Sequence, residues 1–172
     1  MLMRKSVYSK IWSEFVRSPA REKVAREFLK LGISVSRDKK IRIGNIEQAP
    51  AKIGKALGVD RRVVLETVHQ ISSNETLLLI FSRLESRAFL GKAGKELGLD
   101  VIEIHADASL RGVLAGVSTI LFHDGMNVRQ AIVDDPDLFH NPVLTIVLDG
   151  KLKQATFKKL QEFPLTERAI VK

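Results

Sequence analysis

The chain contains no cysteine. Disulfides and thiolate metal sites are thereby excluded, and the composition suits a reducing compartment. Histidine is scarce: His69, His105, His123 and His140 are the only four, and none falls in an HxH or HExxH spacing. Long apolar runs are missing as well. The longest, "LLLIF" at 77–81, is far short of the roughly 20 residues that span a bilayer. The opening "MLMRKSVYSKIWSEF" has no apolar stretch of signal-peptide length. The expectation from these absences is a cytoplasmic protein with no membrane partner.

The chain does have enough apolar residues for a core, 45% of 172, which suits one large domain or two small ones. It also has an uneven charge. Residues 1–100 carry 20 Lys/Arg against 11 Asp/Glu, whereas residues 101–172 carry 8 against 9. A basic first half is drawn to polyanions, and such attraction weakens with salt.

The first half reads as mostly helical. "REKVAREFLKLG" (21–32) sets Val24, Ala25, Phe28, Leu29 and Leu31 on one stripe, with Pro19 ahead of it and Gly32 closing it. "ISVSRDKKIRI" (33–43) alternates on both sides of "RDKK", a short hairpin signal, and "NIEQAP" reads as loop. "SSNETLLLIFSRLES" (72–86) begins another helix, for which Ser72 and Glu75 match a capping box. Leu77, Leu78, Phe81 and Leu84 would face inward. "LGKAGKELG" (90–98) is a short helix or linker.

"KIGKALGVDRRVV" (52–64) has the spacing of a helix-turn-helix. Such a pair needs a small residue at the crossing, supplied by Gly54, and a turn tolerant of positive φ, supplied by Gly58. Ile53 and Leu57 turn inward, Val59 fills the gap, and Asp60 is a natural N-cap. Val64 and Val68 bury the second helix, which runs to about Ile71. Arg61, Arg62, Leu65, Glu66 and His69 remain on its outer face, with Lys52 and Lys55 on the first helix. Cations at a helix N-terminus oppose the macrodipole, so Arg61 and Arg62 fit phosphate or guanine contact better than stability. Glu66 either accepts from a cytosine amine or repels phosphate. The alternative is a helical corner within a core.

The second half changes rhythm. "VIEIHAD" (101–107) alternates as a strand does. Val113, Leu114, Val117, Ile120 and Leu121 follow at helical spacing up to "HDG". "NVRQAIVD" and "VLTIVLD" are further strands, the latter apolar enough to be central. "KLKQATFKKLQEF" is an amphipathic helix, and "ERAIVK" is a fourth strand. The order is βαββαβ. The loop "DASLRGVLA" (107–115) puts glycine at a helix start, where free N–H groups suit a carboxylate.

"VIEIHADASLRGVLAGVSTILFHDGMNVRQAIVDD" resembles the first βαβ of an ACT domain, and the resemblance extends to Lys172. With "IGKALGVDRRVV" upstream, the whole chain resembles an archaeal family described as predicted regulators of amino-acid metabolism. "VRQAIVDDPDL" and "GVDRRVV" are its most specific stretches. Arg111 departs from it, standing where ACT domains often have proline. The resemblance implies an α+β fold: a mostly helical helix-turn-helix domain with a small hairpin over 1–98, and a ferredoxin-like βαββαβ ACT domain over 99–172. It implies a homodimer or higher oligomer through the ACT domain and a small amino-acid effector at the interface. The residues so implicated are Asp107, Ser109, Leu110, Arg111, Gly112, Val113 and Leu114, with Asn127 and Val128 from the partner side.

No catalytic constellation stands out. "DDPD" (134–137) offers three carboxylates, but cation sites need ligands from several directions, and Asp135 before proline more often starts a turn. His105 and Ser109 flank one loop without forming a nucleophile pair. "GKAGKELG" lacks phosphate-loop spacing. No enzymatic activity, metal or cofactor is expected. The expected function is an amino-acid-responsive transcriptional regulator that binds double-stranded DNA. The alternatives are a regulatory subunit of an amino-acid-metabolism enzyme, without DNA binding, and an oligomerisation module whose ligand site is lost.

Overall fold

The computed structural model describes residues 6–107 and 110–172. The fold is α+β, with one three-stranded and one four-stranded antiparallel sheet. The chain divides into two compact units, Met1–Arg87 and Ala88–Lys172. The division falls ahead of the expected one at 98/99, because 88–98 goes with the second unit. No helix among the described residues is long and apolar enough to cross a membrane.

In the first unit, α1 (Ser9–Phe15) precedes α2 (Pro19–Leu31). Pro19 opens α2 where its missing N–H costs nothing. Gly32 ends it at φ 64°. A side chain could not replace that hydrogen, since a Cβ would lie 2.3 Å from the Glu85 carbonyl oxygen. The hairpin pairs β1 (Ser34–Val35) with β2 (Ile41–Ile43). A third strand, β3 (Ile46–Glu47), pairs with β2 where a loop was expected. Helices α3 (Pro50–Leu57), α4 (Arg61–Ser73) and α5 (Glu75–Phe81) follow. Phe15, Phe28, Ile41, Ile71, Leu77 and Phe81 form the centre of the core, and Lys23 donates to the last carbonyl of α3, at Leu57 (2.6 Å).

The expected Ser72–Glu75 capping box does not form. Helix α4 continues through Ser73, so Ser72 lies in its last turn and its hydroxyl donates to the His69 carbonyl (3.0 Å). Extended Asn74 caps α5 instead, accepting from the Leu77 N–H at 3.1 Å. Both Glu75 carboxylate oxygens accept from the same Arg37 nitrogen, Nη2, at 3.0 Å. Leu84 lies beyond the end of α5 but packs on the same core.

The second unit runs β4 (Val101–His105), α6 (Val113–His123), β5 (Val128–Val133), β6 (Leu144–Leu148), α7 (Gln154–Gln161) and β7 (Arg168–Val171). The sheet order is β5-β6-β4-β7. As its composition indicated, β6 is central, and all five of its residues are buried. Val117 and Leu121 of α6 and Leu160 of α7 pack on Ile102, Ile104, Ile146 and Leu148, so both helices cover one face. Val101 and Val147 are paired across β4 and β6 and lie outside that cluster, yet are also buried. Gly94, beside a 3₁₀ turn at Lys95–Leu97, sits directly against Val101.

Candidate functional sites

The turn between α3 and α4 has the local chemistry its sequence indicated. Gly58 takes φ 65°, and the Val59 N–H bonds to the Gly54 carbonyl (2.9 Å). Gly54 is buried, with no room for a Cβ beneath the Val59 carbonyl. Asp60 caps α4 by accepting from the Arg62 N–H at 2.7 Å. Ile53, Leu57 and Val59 pack against the core from its edge, while Val64 and Val68 are fully inside it.

Arg61, Arg62, Leu65, Glu66 and His69 all remain exposed on the outer face of α4, and Lys52 and Lys55 are exposed on α3. The side chains of Arg61, Arg62 and Glu66 make no ion pair among the described residues. Arg21 of α2 joins Leu65, Glu66, His69 and Gln70 along a shallow groove. It was not among the sequence candidates, because only helix packing brings it there. The Arg21 Nε and Gln70 Oε1 atoms are buried without a hydrogen-bond partner, while the Gln70 amide nitrogen donates to the Glu14 carbonyl.

In the second unit a cavity of about 220 Å³ opens where β4 leads into α6. Of the candidate ligand residues, Asp107, Leu110, Gly112, Val113 and Leu114 line it. Arg111 does not, and Ser109 lies outside the described residues. Asn127 and Val128 are not in this cavity. They belong to the opposite end of β5: Val128 pairs with Leu148, whereas the cavity-lining Val133 pairs with Leu144. Gly112 has φ 92° with open space around it, so conformation rather than crowding calls for glycine. It is the N-cap of α6 and offers no side chain to the first-turn amides. Among the described residues no side chain caps those amides, and such a helix start suits an anionic group.

The far wall of the cavity was not anticipated. It consists of Val133, Asp134, Pro136, Pro142, Val143 and Leu144, from the end of β5, the loop after it and the start of β6. The lining is mostly aliphatic, with Asp107 and Asp134 as its carboxylates. The Val143 N–H donates to Asp134 at 3.3 Å. The neighbouring Asp135 accepts from the Asp137 N–H at 2.8 Å, which is the turn geometry expected of an aspartate before proline. No three His, Asp or Glu among the described residues converge as a metal donor set.

Two carboxylates stand at the opposite end of this sheet, away from the cavity, at the start of β4 and the end of α6. Asp100 accepts from the Leu152 N–H (2.7 Å) and from Lys151 (3.0 Å), bonds that hold its carboxyl below the usual range. Asp124, just after α6, is held low chiefly by Lys159 at 2.6 Å, with the Thr156 hydroxyl and Lys153 beside it.

No family model matches the chain, and no curated protein matches it. Among solved structures it is similar to a crystal structure of PH0061, at 10% identity and a TM-score of 0.30, over 98% of this chain and 92% of that one. That likeness is too slight to carry fold or function.

Proposed function

We propose that the chain is an amino-acid-responsive DNA-binding regulator, with α3–α4 as a helix-turn-helix and the second unit as a ferredoxin-like ACT domain. One observation carries the sensing half. Five loop residues implicated by the resemblance, Asp107, Leu110, Gly112, Val113 and Leu114, line one aliphatic cavity at the N-terminus of α6. The amides there suit an α-carboxylate, a carboxylate such as Asp134 suits an α-amine, and the lining suits an aliphatic side chain. The strand order β5-β6-β4-β7 with both helices on one face supports the ACT reading. Arg61 and Arg62, exposed and without an ion pair among the described residues, support the DNA reading.

The protein so read is cytoplasmic, has no enzymatic activity and pairs through its second unit. Isothermal calorimetry with L-leucine, L-isoleucine and L-valine tests the sensing half, and a duplex-DNA shift assay at low salt tests the output half. Absence of heat with all three overturns the first; absence of a shift overturns the second.

A second reading, a regulatory subunit that meets another protein, is favoured by the outer face of α6. Leu114, Ala115, Ser118, Thr119 and Phe122 are exposed there with no charged residue among them. Phe122 is 76% exposed, which suits a protein interface better than solvent.

A further inference from the structure

The chain passes between its two units at Arg87. On one side, the Ser86 hydroxyl donates to the Leu31 carbonyl in the first unit. On the other, Gln130 of β5 grips the chain at once. Its amide nitrogen donates to the Ala88 carbonyl at 2.8 Å, and its amide oxygen accepts from the Leu90 N–H at 2.9 Å. One side chain thus pairs with the backbone on both sides of Phe89, as a neighbouring strand would. Farther on, Gly94 is buried against Val101. A Cβ there would lie 2.3 Å from the Val101 Cγ2 atom, so the segment and the sheet are in close register. Between the two grips, the Phe89 ring lies over Gly91, where a Cβ would meet it at 2.3 Å.

We propose that 88–98 is a strap whose docking sets the length of the tether between the units, with Gln130 as its clasp. Docked, the strap leaves one residue, Arg87, between the Ser86 and Ala88 anchors. Released, it frees the chain from Arg87 to about Gly98. Tether length sets the reach of a flexible connection, so the clasp sets how much chain is loose between the units.

The same strand joins the clasp to the cavity. Gln130 and Val133 lie on opposite faces of β5, and Val133 with the adjoining Asp134 forms cavity wall. Among the described residues β5 pairs with β6 alone, and its register is irregular between Val128 and Gln130. An edge strand held on one side has room to shift when either end is engaged. Occupancy of the cavity and docking of the strap are therefore linked, and each changes the other by the same free energy. This second step rests on the amino-acid reading above; the docking of the strap does not.

Hydrogen exchange on the full chain tests the docking. In Gln130→Ala the Leu90 amide loses about tenfold protection, the weight of one such bond, while the β4 and β6 amides keep theirs. Gln130→Glu keeps the acceptor for Leu90 and loses the donor to Ala88, so it falls between the two. Trypsin cleavage after Lys92 and Lys95 accelerates in the same order. Equal Leu90 exchange in all three proteins overturns the strap. For the coupling, L-leucine, L-isoleucine and L-valine are added in turn. A change in Leu90 protection in the wild type that is absent in Gln130→Ala supports it. Calorimetric binding without any change at Leu90 overturns the coupling alone. No binding of any of the three overturns the sensor reading and the coupling together, and the exchange result still decides the strap.

Discussion

Gly54 lies beneath Val59, so close that a Cβ on Gly54 would stand 2.8 Å from the Val59 carbonyl oxygen. The contact is backbone against backbone, and neither side can swing away. Gly54→Ala must spread α3 from the turn, and overpacking of this kind costs about 1–3 kcal/mol. Gly58→Ala meets no atom within 4 Å and pays only for its left-handed backbone, about 1–2 kcal/mol. The two are separated by structure rather than by stability. Gly54→Ala should shift the amide chemical shifts of α3 and α4, while Gly58→Ala should leave the helices in place. An unperturbed spectrum for Gly54→Ala would mean that the crossing is looser than it stands here.

Arg61 and Arg62 occupy the N-terminal turn of α4, where the macrodipole opposes them. Replacing both by alanine should leave stability unchanged or raise it by a few tenths of a kcal/mol. Duplex binding should weaken, and each lost phosphate contact should flatten the logarithmic salt slope by about one. Glu66→Gln should strengthen non-specific duplex binding, because it removes from the same face a negative charge that has no ion pair among the described residues and repels phosphate. A titration of affinity against salt for the three proteins reads all of this. A double-arginine variant that binds as the wild type does would remove α4 from the interface.

What the sequence made legible was local chemistry. The Gly58 turn, the Asp60 cap and the buried face of β6 follow from residues within a few positions of one another. What it hid was brought together by distant pairing. Val133, Asp134 and Val143 reach the Asp107–Leu114 loop only because β5 and β4 both align on β6. Arg21 reaches the α4 groove only because α2 packs on α4. The strap was hidden for a different reason. "LGKAGKELG" has the composition of a linker, and nothing local says that Gly94 is small to fit Val101 rather than to bend.

Asp100 ties the start of β4 to the loop before α7 through the Leu152 N–H and Lys151. Its carboxyl is lowered from 3.8, first by the Leu152 bond and against the cost of desolvation. A carboxyl depressed in the folded state stabilises above its unfolded pKa, and that contribution is lost as pH falls through the folded value. Stability should therefore decline below about pH 4, and Asp100→Asn should decline less steeply there. At neutral pH the substitution should cost about 1.5 kcal/mol, as for a hydrogen bond to a charged group. Urea melts at pH 7 and pH 3 measure both. Parallel acid limbs for the two proteins would show that Asp100 does not contribute to acid sensitivity.

Asn74 and Ser72 make opposite claims on the start of α5. The pattern Ser72–Glu75 fits a capping box, yet it is the Asn74 side chain that caps α5 by accepting from the Leu77 N–H, and Ser72 turns back to His69. The difference arises because α4 runs one residue past Ser72, leaving Asn74 as the sole extended residue between the helices. Asn74→Ala should therefore cost about 1 kcal/mol, whereas Ser72→Ala should fall within about 0.5 kcal/mol of the wild type. Because α5 buries Leu77 and Phe81 in the same core as α4, the loss should appear in the cooperative unfolding of the first unit rather than as local fraying. The reverse order of effects would mean that α4 ends earlier and that the box forms after all.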